Sequence, residues 1–407
     1  MSGIILFLGI LAGIYMAWNI GANDIANGMA CPVAAKAITL RQAVVIGGIL
    51  DFVGATFIGS HVTSTICNDI IKTEFVSDPN VMMLGMLASL FAAAFWVFVA
   101  TWKSLPVSTT HAIVGAVVGF GVVAGGFKAI YWLKIIPIFL SWIISPVFAA
   151  LLAYMVFIAI RKLILTKPQT FLAALRWAPV FSGATFFIVM VSFVAKTPLG
   201  KRMGIDIGTV VMFSLICSVI LGYLFKLWMQ KTIKKIEAAG VEEIFRRLQV
   251  FTACYVSLAH GANDVANAIG PLAGIYFIYQ TGTLAPTTEV PMFLLAGGGL
   301  FIALGVFTWG YRVIETIGHK ITVLNNTRGF AVDFGTATSV LIASKLGFPV
   351  STTHAAVGAV IGVGLSGGLG AVDFSVVWKI SIYWIVTLPL SAIPTIVIFK
   401  ILEAIFL

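Results

Sequence analysis

Long apolar stretches, each about the length of a membrane-spanning helix, follow one another along nearly the whole chain. A helix that crosses the hydrocarbon core of a bilayer needs about 20 mostly apolar residues. Short polar gaps separate the stretches, which predicts an all-α polytopic membrane protein. Hydropathy places candidate spans at 3–22, 43–61, 81–101, 131–160, 179–195, 207–229, 250–278, 292–311, 330–346 and 376–405.

Two further apolar segments, 104–126 and 348–370, are rich in glycine and small hydroxyl residues. They are predicted to be broken or re-entrant helices, since non-helical backbone is tolerated at membrane depth where protein or a water-filled cavity shields it. If each segment makes one net crossing, the chain has about twelve crossings, with both termini outside.

Charge in the gaps supports this orientation. The two gaps richest in Lys and Arg, 161–176 and 231–247, are predicted to be cytoplasmic. The acidic gap 69–78 and the gap 280–291, which has no Lys or Arg, are predicted to be external. The basic gap 196–202 falls outside in this scheme and is its one exception.

Composition agrees with lipid as the main solvent, because 60% of the residues are hydrophobic and only 10% are charged. The net charge of +10 does not indicate a nucleic-acid partner, since the basic residues lie in the short gaps as topology signals. The four cysteines show no metal-binding or disulfide spacing, and no cofactor is predicted. The apolar run near Met1 is predicted to be a first span rather than a removed signal peptide.

A duplicated pair of polar motifs is the strongest signal in the chain. The acid–amide motif reads GANDIAN at 21–27 and GANDVAN at 261–267, and the hydroxyl motif reads PVSTTHAIVGAVVG at 106–119 and PVSTTHAAVGAVIG at 349–362. An odd number of predicted spans separates the two copies, so the second copy is expected to be inverted, with the substrate near the membrane midplane. The predicted units are a first repeat at 1–160, connecting spans at 161–247 and a second repeat at 248–407.

The hydroxyl motif has the chemistry of an anion site. Pro106 suits the first turn of a helix, and the hydroxyls that follow it lie beside free backbone N–H groups at the positive end of the helix dipole. Two opposed helix starts of this kind could hold a tetrahedral oxyanion without Arg or Lys. The alternative is that the hydroxyls only cap or pack helices. The candidate oxyanion ligands are Ser108, Thr109, Thr110, Ser351, Thr352 and Thr353.

The acid–amide motif has the chemistry of a cation site. A carboxylate at membrane depth is costly and indicates function, and Asp and Asn oxygens, with carbonyls freed by the flanking glycines, suit Na⁺. Positions i, i+1 and i+4 do not share one helical face, so either the helix is broken or the side chains serve different neighbours. The alternative is a buried network that only holds spans together. The candidate sodium ligands are Asp24, Asn27, Asp264 and Asn267.

Four further polar residues are candidates for coupling or gating. His111 and His354 follow the two hydroxyl runs, where they could orient the threonines, bind substrate or fill a polar pocket. Asp51 and Asp333 lie within predicted spans without an acidic counterpart in the other repeat, and a structural role for them stays open.

At these motifs the chain resembles the PiT family of inorganic phosphate transporters, whose hallmark is two copies of GANDxAN and two of P-[VI]-S-T-T-H. The resemblance covers essentially the full length. It implies a homodimeric secondary transporter that moves phosphate with Na⁺ or H⁺, with substrate contact at both Ser-Thr-Thr runs and cation contact at the acid–amide motifs. Asn23 and Asn263 are included among the predicted phosphate ligands. Asp51 and Asp333 match positions where relatives carry an acid, usually Glu.

The sequence therefore predicts a Na⁺-coupled phosphate importer of the plasma membrane that works by alternating access. Moving one negative charge inward against about 100 mV costs about 2.3 kcal/mol, so two or more Na⁺ would let the potential drive uptake. Asp24 and Asp264 provide for two cations. The alternatives are an H⁺-coupled phosphate or sulfate permease and an ion channel. No enzyme is predicted, since there is no cofactor motif and no nucleophile–base pair beyond the proximity of Ser and His in STTH.

Overall fold

The protein is nearly all helical in a computed structural model, which describes residues 1–68, 70–196, 206–233, 238–284, 290–317 and 324–407. Five charged residues used above as topology signals lie outside the described residues: Asp69, Lys201, Arg202, Lys234 and Lys235. The described helices are α1 Ser2–Asp24, α2 Ala26–Ala34, α3 Leu40–Ile58, α4 Ser60–Asn68, α5 Pro79–Trp102, α6 Thr109–Gly125, α7 Trp132–Ile160, α8 Thr170–Lys196, α9 Ile207–Thr232, α10 Ala238–Thr281, α11 Met292–Trp309, α12 Tyr311–Ile317, α13 Asn326–Lys345, α14 Thr352–Leu365 and α15 Phe374–Phe406.

Among the described residues, eight helical segments are long and apolar enough to cross a membrane. They are Ser2–Ala34, Leu40–Ile58, Pro79–Trp102, Trp132–Leu165, Thr170–Ser192, Ile207–Thr232, Met292–Trp309 and Phe374–Phe406. The predicted spans 250–278 and 330–346 are helical within α10 and α13, whose polar residues keep them out of this group. The predicted number of about twelve crossings stays a prediction.

The two Gly-rich segments each form one shorter helix, α6 of 17 residues and α14 of 14 residues. Ser108 and Ser351 are their N-caps, and each hydroxyl oxygen accepts a hydrogen bond from the backbone N–H three residues later. The prediction that Pro106 lies in the first helical turn is wrong. It lies two residues before the N-cap, where its restriction of the preceding residue keeps the chain extended.

The helices of the two predicted repeats, 1–160 and 248–407, pack in a reciprocal pattern; these two segments are called the two halves below. Helix α1 packs on α11 while α10 packs on α3, and α6 packs on α15 while α14 packs on α7. If each helix of the first half is exchanged with its equivalent in the second, that is α1 with α10, α3 with α11, α6 with α14 and α7 with α15, each of these contacts becomes another of them. Each half is therefore built against the other, and both copies of the two motifs lie at this shared interior.

Glycines of the acid–amide motif lie where backbones touch. A Cβ added at Gly21 would be 1.9 Å from the carbonyl oxygen of Ile302, and one added at Gly261 would be 2.1 Å from that of Asp51. Real Cβ atoms do not approach this closely, so these positions require glycine for helix packing. Gly261 lies inside the continuous helix α10, so its role is close approach rather than the release of a backbone carbonyl.

We expect Gly261→Ala to destabilise the protein more strongly than the usual 1–3 kcal/mol of overpacking, because the new methyl group would meet backbone rather than a flexible side chain. Gly297→Ala in α11 is the matched control, since a Cβ there meets nothing within 4 Å. Thermal unfolding in detergent should give a lower Tm for Gly261→Ala and an unchanged or higher one for Gly297→Ala. Equal Tm values for the two variants would contradict the packing argument.

Candidate substrate and cation site

The candidate ligands of both motifs form one buried polar network. Each predicted hydroxyl, amide and carboxylate ligand has at most 5% of its surface exposed. Polar groups buried this deeply need hydrogen-bond or ionic partners, and several of these partners come from the opposite half. None of the described hydrogen bonds in this network involves Lys or Arg.

Two amides bridge the halves. The Nδ2 of Asn27 donates to Thr352 Oγ1 at 3.1 Å and to Thr353 Oγ1 at 3.0 Å. The Nδ2 of Asn267 donates to the Oγ1 atoms of Thr109 and Thr110, both at 3.2 Å. The last residue of each acid–amide motif therefore contacts the hydroxyl run of the opposite half.

The two hydroxyl runs also touch each other directly. Thr110 donates from Oγ1 to the Val350 carbonyl at 3.1 Å, and Thr353 donates to the Val107 carbonyl at 3.2 Å. Val107 and Val350 each belong to the extended segment that precedes a helix start. The starts of α6 and α14 therefore meet in the interior, as the duplicated motif predicts.

Each carboxylate is bound within its own half. Thr109 donates to Asp24 Oδ2 at 2.6 Å, and Thr352 donates to Asp264 Oδ2 at 3.0 Å. In the first motif Asp24 and Asn27 thus serve different neighbours, whereas in the second Asn267 Nδ2 also donates to Asp264 Oδ1 at 3.4 Å. Helix α10 runs unbroken through the second motif, so the i, i+1, i+4 spacing does not require a broken helix in that copy.

Asn23 and Asn263 are predicted phosphate ligands, but in the structure their side-chain amides form hydrogen bonds to other groups of the protein. Asn23 Nδ2 donates to the Thr101 hydroxyl at 2.9 Å and to the Leu105 carbonyl at 3.1 Å. Asn263 Nδ2 donates to the Val350 carbonyl at 2.7 Å, and its Oδ1 accepts from Ser344. Both side chains hold the extended segment that leads into the nearby hydroxyl run.

The serine hydroxyls keep donor capacity. The oxygens of Ser108 and Ser351 accept the N–H groups of His111 and His354, each at 3.2 Å. A hydroxyl also carries one hydrogen that it can donate. Among the described residues, no protein acceptor receives that hydrogen from either serine. Two donors are thus available at the facing helix starts.

The two motif histidines lie at the centre of a cluster of four aromatic rings, in which the two imidazoles meet edge to face. The ring centroids of His111 and Trp142 are 3.8 Å apart, those of His111 and His354 are 4.5 Å apart, and those of His354 and Trp384 are 3.7 Å apart. The Nδ1 atoms of His111 and His354 lie 2.9 and 3.0 Å from the carbonyl oxygens of Trp384 and Trp142. Since a carbonyl only accepts, Nδ1 is the donor in both histidines. These contacts fix the imidazoles next to the hydroxyl runs.

His260 is a site residue that the sequence reading missed. Its Nε2 lies 3.1 Å from Asp264 Oδ2, and its Nδ1 lies 3.0 Å from Asp51 Oδ1. The imidazole therefore connects the predicted coupling acid Asp51 to the second motif. The sequence contains a feature that could have identified it: His260 directly precedes the second GAND sequence, whereas the apolar Ile20 precedes the first.

Two oxygens of the motif residues are buried acceptors without a hydrogen-bond partner among the described residues: Asp24 Oδ1 and Asn267 Oδ1. Unpartnered buried oxygens of this kind are suited to a hard cation. Ligand atoms of Asp24, His260 and Asp264 also lie within 4.8 Å of one another. The carboxylates of the two motifs therefore approach closely enough to share one electrostatic environment.

Asp333 is not brought to this network. It lies in α13 beside Gln249, 11 residues before Ser344, which is about 16 Å along a helix. Of the two acids outside the motifs, only Asp51 is linked to the candidate site, and the buried carboxylate oxygens of Asp333 have no hydrogen-bond partner among the described residues.

Comparison with known proteins identifies the family of this chain. A family model described as a phosphate transporter family matches residues 20–395. A Pyrococcus abyssi protein whose name carries the words phosphate permease is 50% identical, over 98% of both chains. The chloroplastic inorganic phosphate transporter 2-1 of Arabidopsis thaliana is 43% identical, over 94% of this chain and 70% of its own. A solved structure of a sodium-dependent phosphate transporter matches with a TM-score of 0.93 at 40% identity, over 99% of this chain and 100% of its own.

The apolar helices and these matches define an integral membrane protein that transports its substrate. The chain belongs to the phosphate transporter family. The resemblance drawn from the motifs is confirmed, and so is the prediction that the chain is not an enzyme, because the family and the structural neighbour are transporters.

We expect His354→Phe to lower stability although it keeps an aromatic ring in this cluster. The Trp142 carbonyl lacks its regular helical donor because Pro146, four residues later, has no N–H, so His354 supplies the donor it needs. An unsatisfied buried carbonyl costs about 1–3 kcal/mol. The free energy of unfolding should therefore fall by about that amount, which thermal or denaturant unfolding in detergent can measure.

His111→Phe is the matched control for this variant. Its acceptor is the Trp384 carbonyl, and Leu388, four residues later in α15, has an N–H that can donate to it. We expect a clearly smaller loss for this variant. Equal losses, or no loss for His354→Phe, would contradict the role of the imidazole N–H as the missing helical donor.

Proposed function

We propose that the protein imports inorganic phosphate across the plasma membrane by coupling it to Na⁺. The oxyanion is held between the opposed N-termini of α6 and α14, and cations bind at the two acid–amide motifs. The observation that carries the proposal is the reciprocal bridge between halves, in which Asn27 and Asn267 donate to the hydroxyl runs of the opposite copy. A ligand bound there contacts both halves at once.

The anion side of the proposal rests on neutral donors. Ser108 and Ser351 have hydroxyl hydrogens to give, and the first N–H groups of the two facing helices add the positive ends of their dipoles. The amides of Asn27 and Asn267 donate to hydroxyl oxygens that a phosphate oxygen can replace. Donors without formal charge bind phosphate while leaving it able to dissociate on the other side.

The cation side rests on oxygen ligands with unused lone pairs. Among the described residues, no donor bonds to the buried Asp24 Oδ1 or Asn267 Oδ1. The Thr109 hydroxyl connects the two residues, because it donates to Asp24 and accepts from Asn267. Carboxylate and amide oxygens suit Na⁺, and the structural neighbour at 40% identity is a sodium-dependent phosphate transporter. His260 then acts by positioning Asp264 from the side of Asp51.

The reciprocal contacts support alternating access. We assign the two halves, 1–160 and 248–407, to inverted repeats with about twelve crossings in all, joined by the connecting spans. In such repeats the substrate lies near the midplane and one half rocks against the other. The bridging amides must then exchange partners as the site opens. The family resemblance further favours a homodimer.

Uptake of radiolabelled phosphate into proteoliposomes tests the proposal, with Na⁺ and H⁺ gradients imposed separately. We expect saturable uptake driven by an inward Na⁺ gradient. Asp24→Asn and Asp264→Asn should each abolish or severely weaken this Na⁺-driven uptake while the protein stays folded, because each removes a negative cation ligand.

Asp333→Asn is the matched control, since that acid lies outside the network. It carries the same loss of charge in a buried helix. Sodium dependence of wild-type strength in Asp24→Asn or Asp264→Asn would show those carboxylates to be structural. Uptake that is independent of the Na⁺ gradient and driven by the pH gradient would identify H⁺ as the coupling ion in place of Na⁺.

Phosphate affinity should separate the hydroxyls into two classes. Ser108→Ala and Ser351→Ala each remove a donor that is not used within the protein, so we expect phosphate affinity to fall about ten- to hundred-fold. Ser→Thr at the same positions retains both the cap and the hydroxyl and should lose much less. Equilibrium binding of radiolabelled phosphate to purified protein measures the change independently of transport.

Thr110→Ala and Thr353→Ala provide the comparison. Their hydroxyl hydrogens already bond to Val350 and Val107, so any loss of affinity reports that these bonds are exchanged for phosphate. If all four alanine variants bind phosphate as the wild type does, with fold verified, the hydroxyl runs are not the anion site.

A further inference from the structure

A basic cavity whose lining includes no motif residue lies where α7 turns into α8. Its volume is about 490 Å³, and its lining includes Leu163, Lys167, Gln169, Leu172, Arg176 and Trp177. Helix α7 continues there as a π-helical turn, Arg161–Leu165, a geometry found often at functional sites. The chain then turns and begins α8 at Thr170.

The charge of this cavity favours an anion. Lys167 and Arg176 are its two charged lining residues, and no acid lines it. Both are exposed, and neither forms an ion pair within the part of the chain that the structure describes. The N-terminus of the 27-residue helix α8 lies beside them and adds the positive end of its dipole.

The rest of the lining favours a lipid over a free ion. Leu172, in the lining, is 55% exposed, and Val180, one turn beyond Arg176 on the same face of α8, is 54% exposed, so apolar surface lies on both sides of the guanidinium along the helix. The half-buried indole of Trp177 is typical of the membrane–water interface. The basic gap 161–176 is also one of the two that the positive-inside rule predicts to be cytoplasmic.

We propose that this cavity binds the phosphodiester headgroup of an anionic phospholipid from the cytoplasmic leaflet. Lys167 and Arg176 hold the phosphate oxygens, and an acyl chain lies along Leu172 and Val180. Basic pockets beside spanning helices recognise such headgroups, and about 490 Å³ is large enough for a glycerophosphate group. The site is separate from the transport network and does not depend on the proposed coupling ion.

The test measures the apparent dissociation constant of phosphatidylglycerol from lipid adducts of the purified, delipidated protein in native mass spectra. We expect binding by the wild type, much weaker binding of phosphatidylcholine, and about tenfold weaker phosphatidylglycerol binding by Lys167→Gln/Arg176→Gln. The charge-preserving variant Lys167→Arg/Arg176→Lys should stay within about threefold of the wild type.

Lys226→Gln/Lys231→Gln in α9 is the matched control. Helices α8 and α9 run antiparallel, since Gly183 approaches Ser218 while Gly222 approaches Pro179, so both pairs of cations lie toward the same end of this helix pair. Loss of lipid binding by the control to the same extent, or none by the cavity variant, would overturn the proposal. Displacement of the lipid by equimolar inorganic phosphate or glycerol 3-phosphate would overturn the lipid assignment in favour of a soluble phosphate.

Discussion

The site depends on one constraint: a polar group inside an apolar protein must have a partner, and each half of this molecule lacks some of the partners that its own polar groups need. A buried amide without a hydrogen-bond acceptor costs several kcal/mol. The Asn27 amide donates to the hydroxyls at the start of α14, and the Asn267 amide donates to those at the start of α6 and, at 3.4 Å, to Asp264 of its own motif. Neither half completes its network alone, so the fold and the site form together.

Glycine makes this interlocking possible. The residues of the acid–amide motif have two roles. Gly21 and Gly261 allow helix backbones to touch, and the Asn and Asp side chains supply the polar groups of the site. The same division holds in the hydroxyl motif. Added Cβ atoms at Gly115 and Gly358 would meet the backbone of α15 and α7, so α6 and α14 are seated against the helices whose tryptophans stack on His111 and His354.

The sequence predicts membership of the site better than it predicts partners. Two repeated motifs were enough to identify the residues that meet, because a duplication implies that both copies face one interior. The identity of each contact was not readable, since Asn267 and Thr109 are 158 residues apart. His260 was not predicted because it has no counterpart in the first copy of the repeat. Asp333 was grouped with Asp51 because both are acids within predicted spans, although Asp333 lies in α13, away from the site. Periodicity and repetition report local form and duplication, while long-range pairing depends on the packing of whole helices.

The departure from symmetry at His260 bears on how two cations would differ. Asp24 accepts one hydrogen bond, from Thr109, and leaves Oδ1 unpartnered, whereas Asp264 contacts Thr352, Asn263 and His260. Two sites related by the repeat would be equivalent if only the motifs mattered. Here the carboxylate of the second motif is already shared with an imidazole, so it has less capacity left for a cation than that of the first. Because the carboxylates are close, a positive charge bound at Asp24 also lowers the electrostatic benefit of a second one at Asp264. A phosphate bearing two negative charges between them restores that benefit, which makes cation and anion binding mutually dependent and gives the proposed symport its coupling.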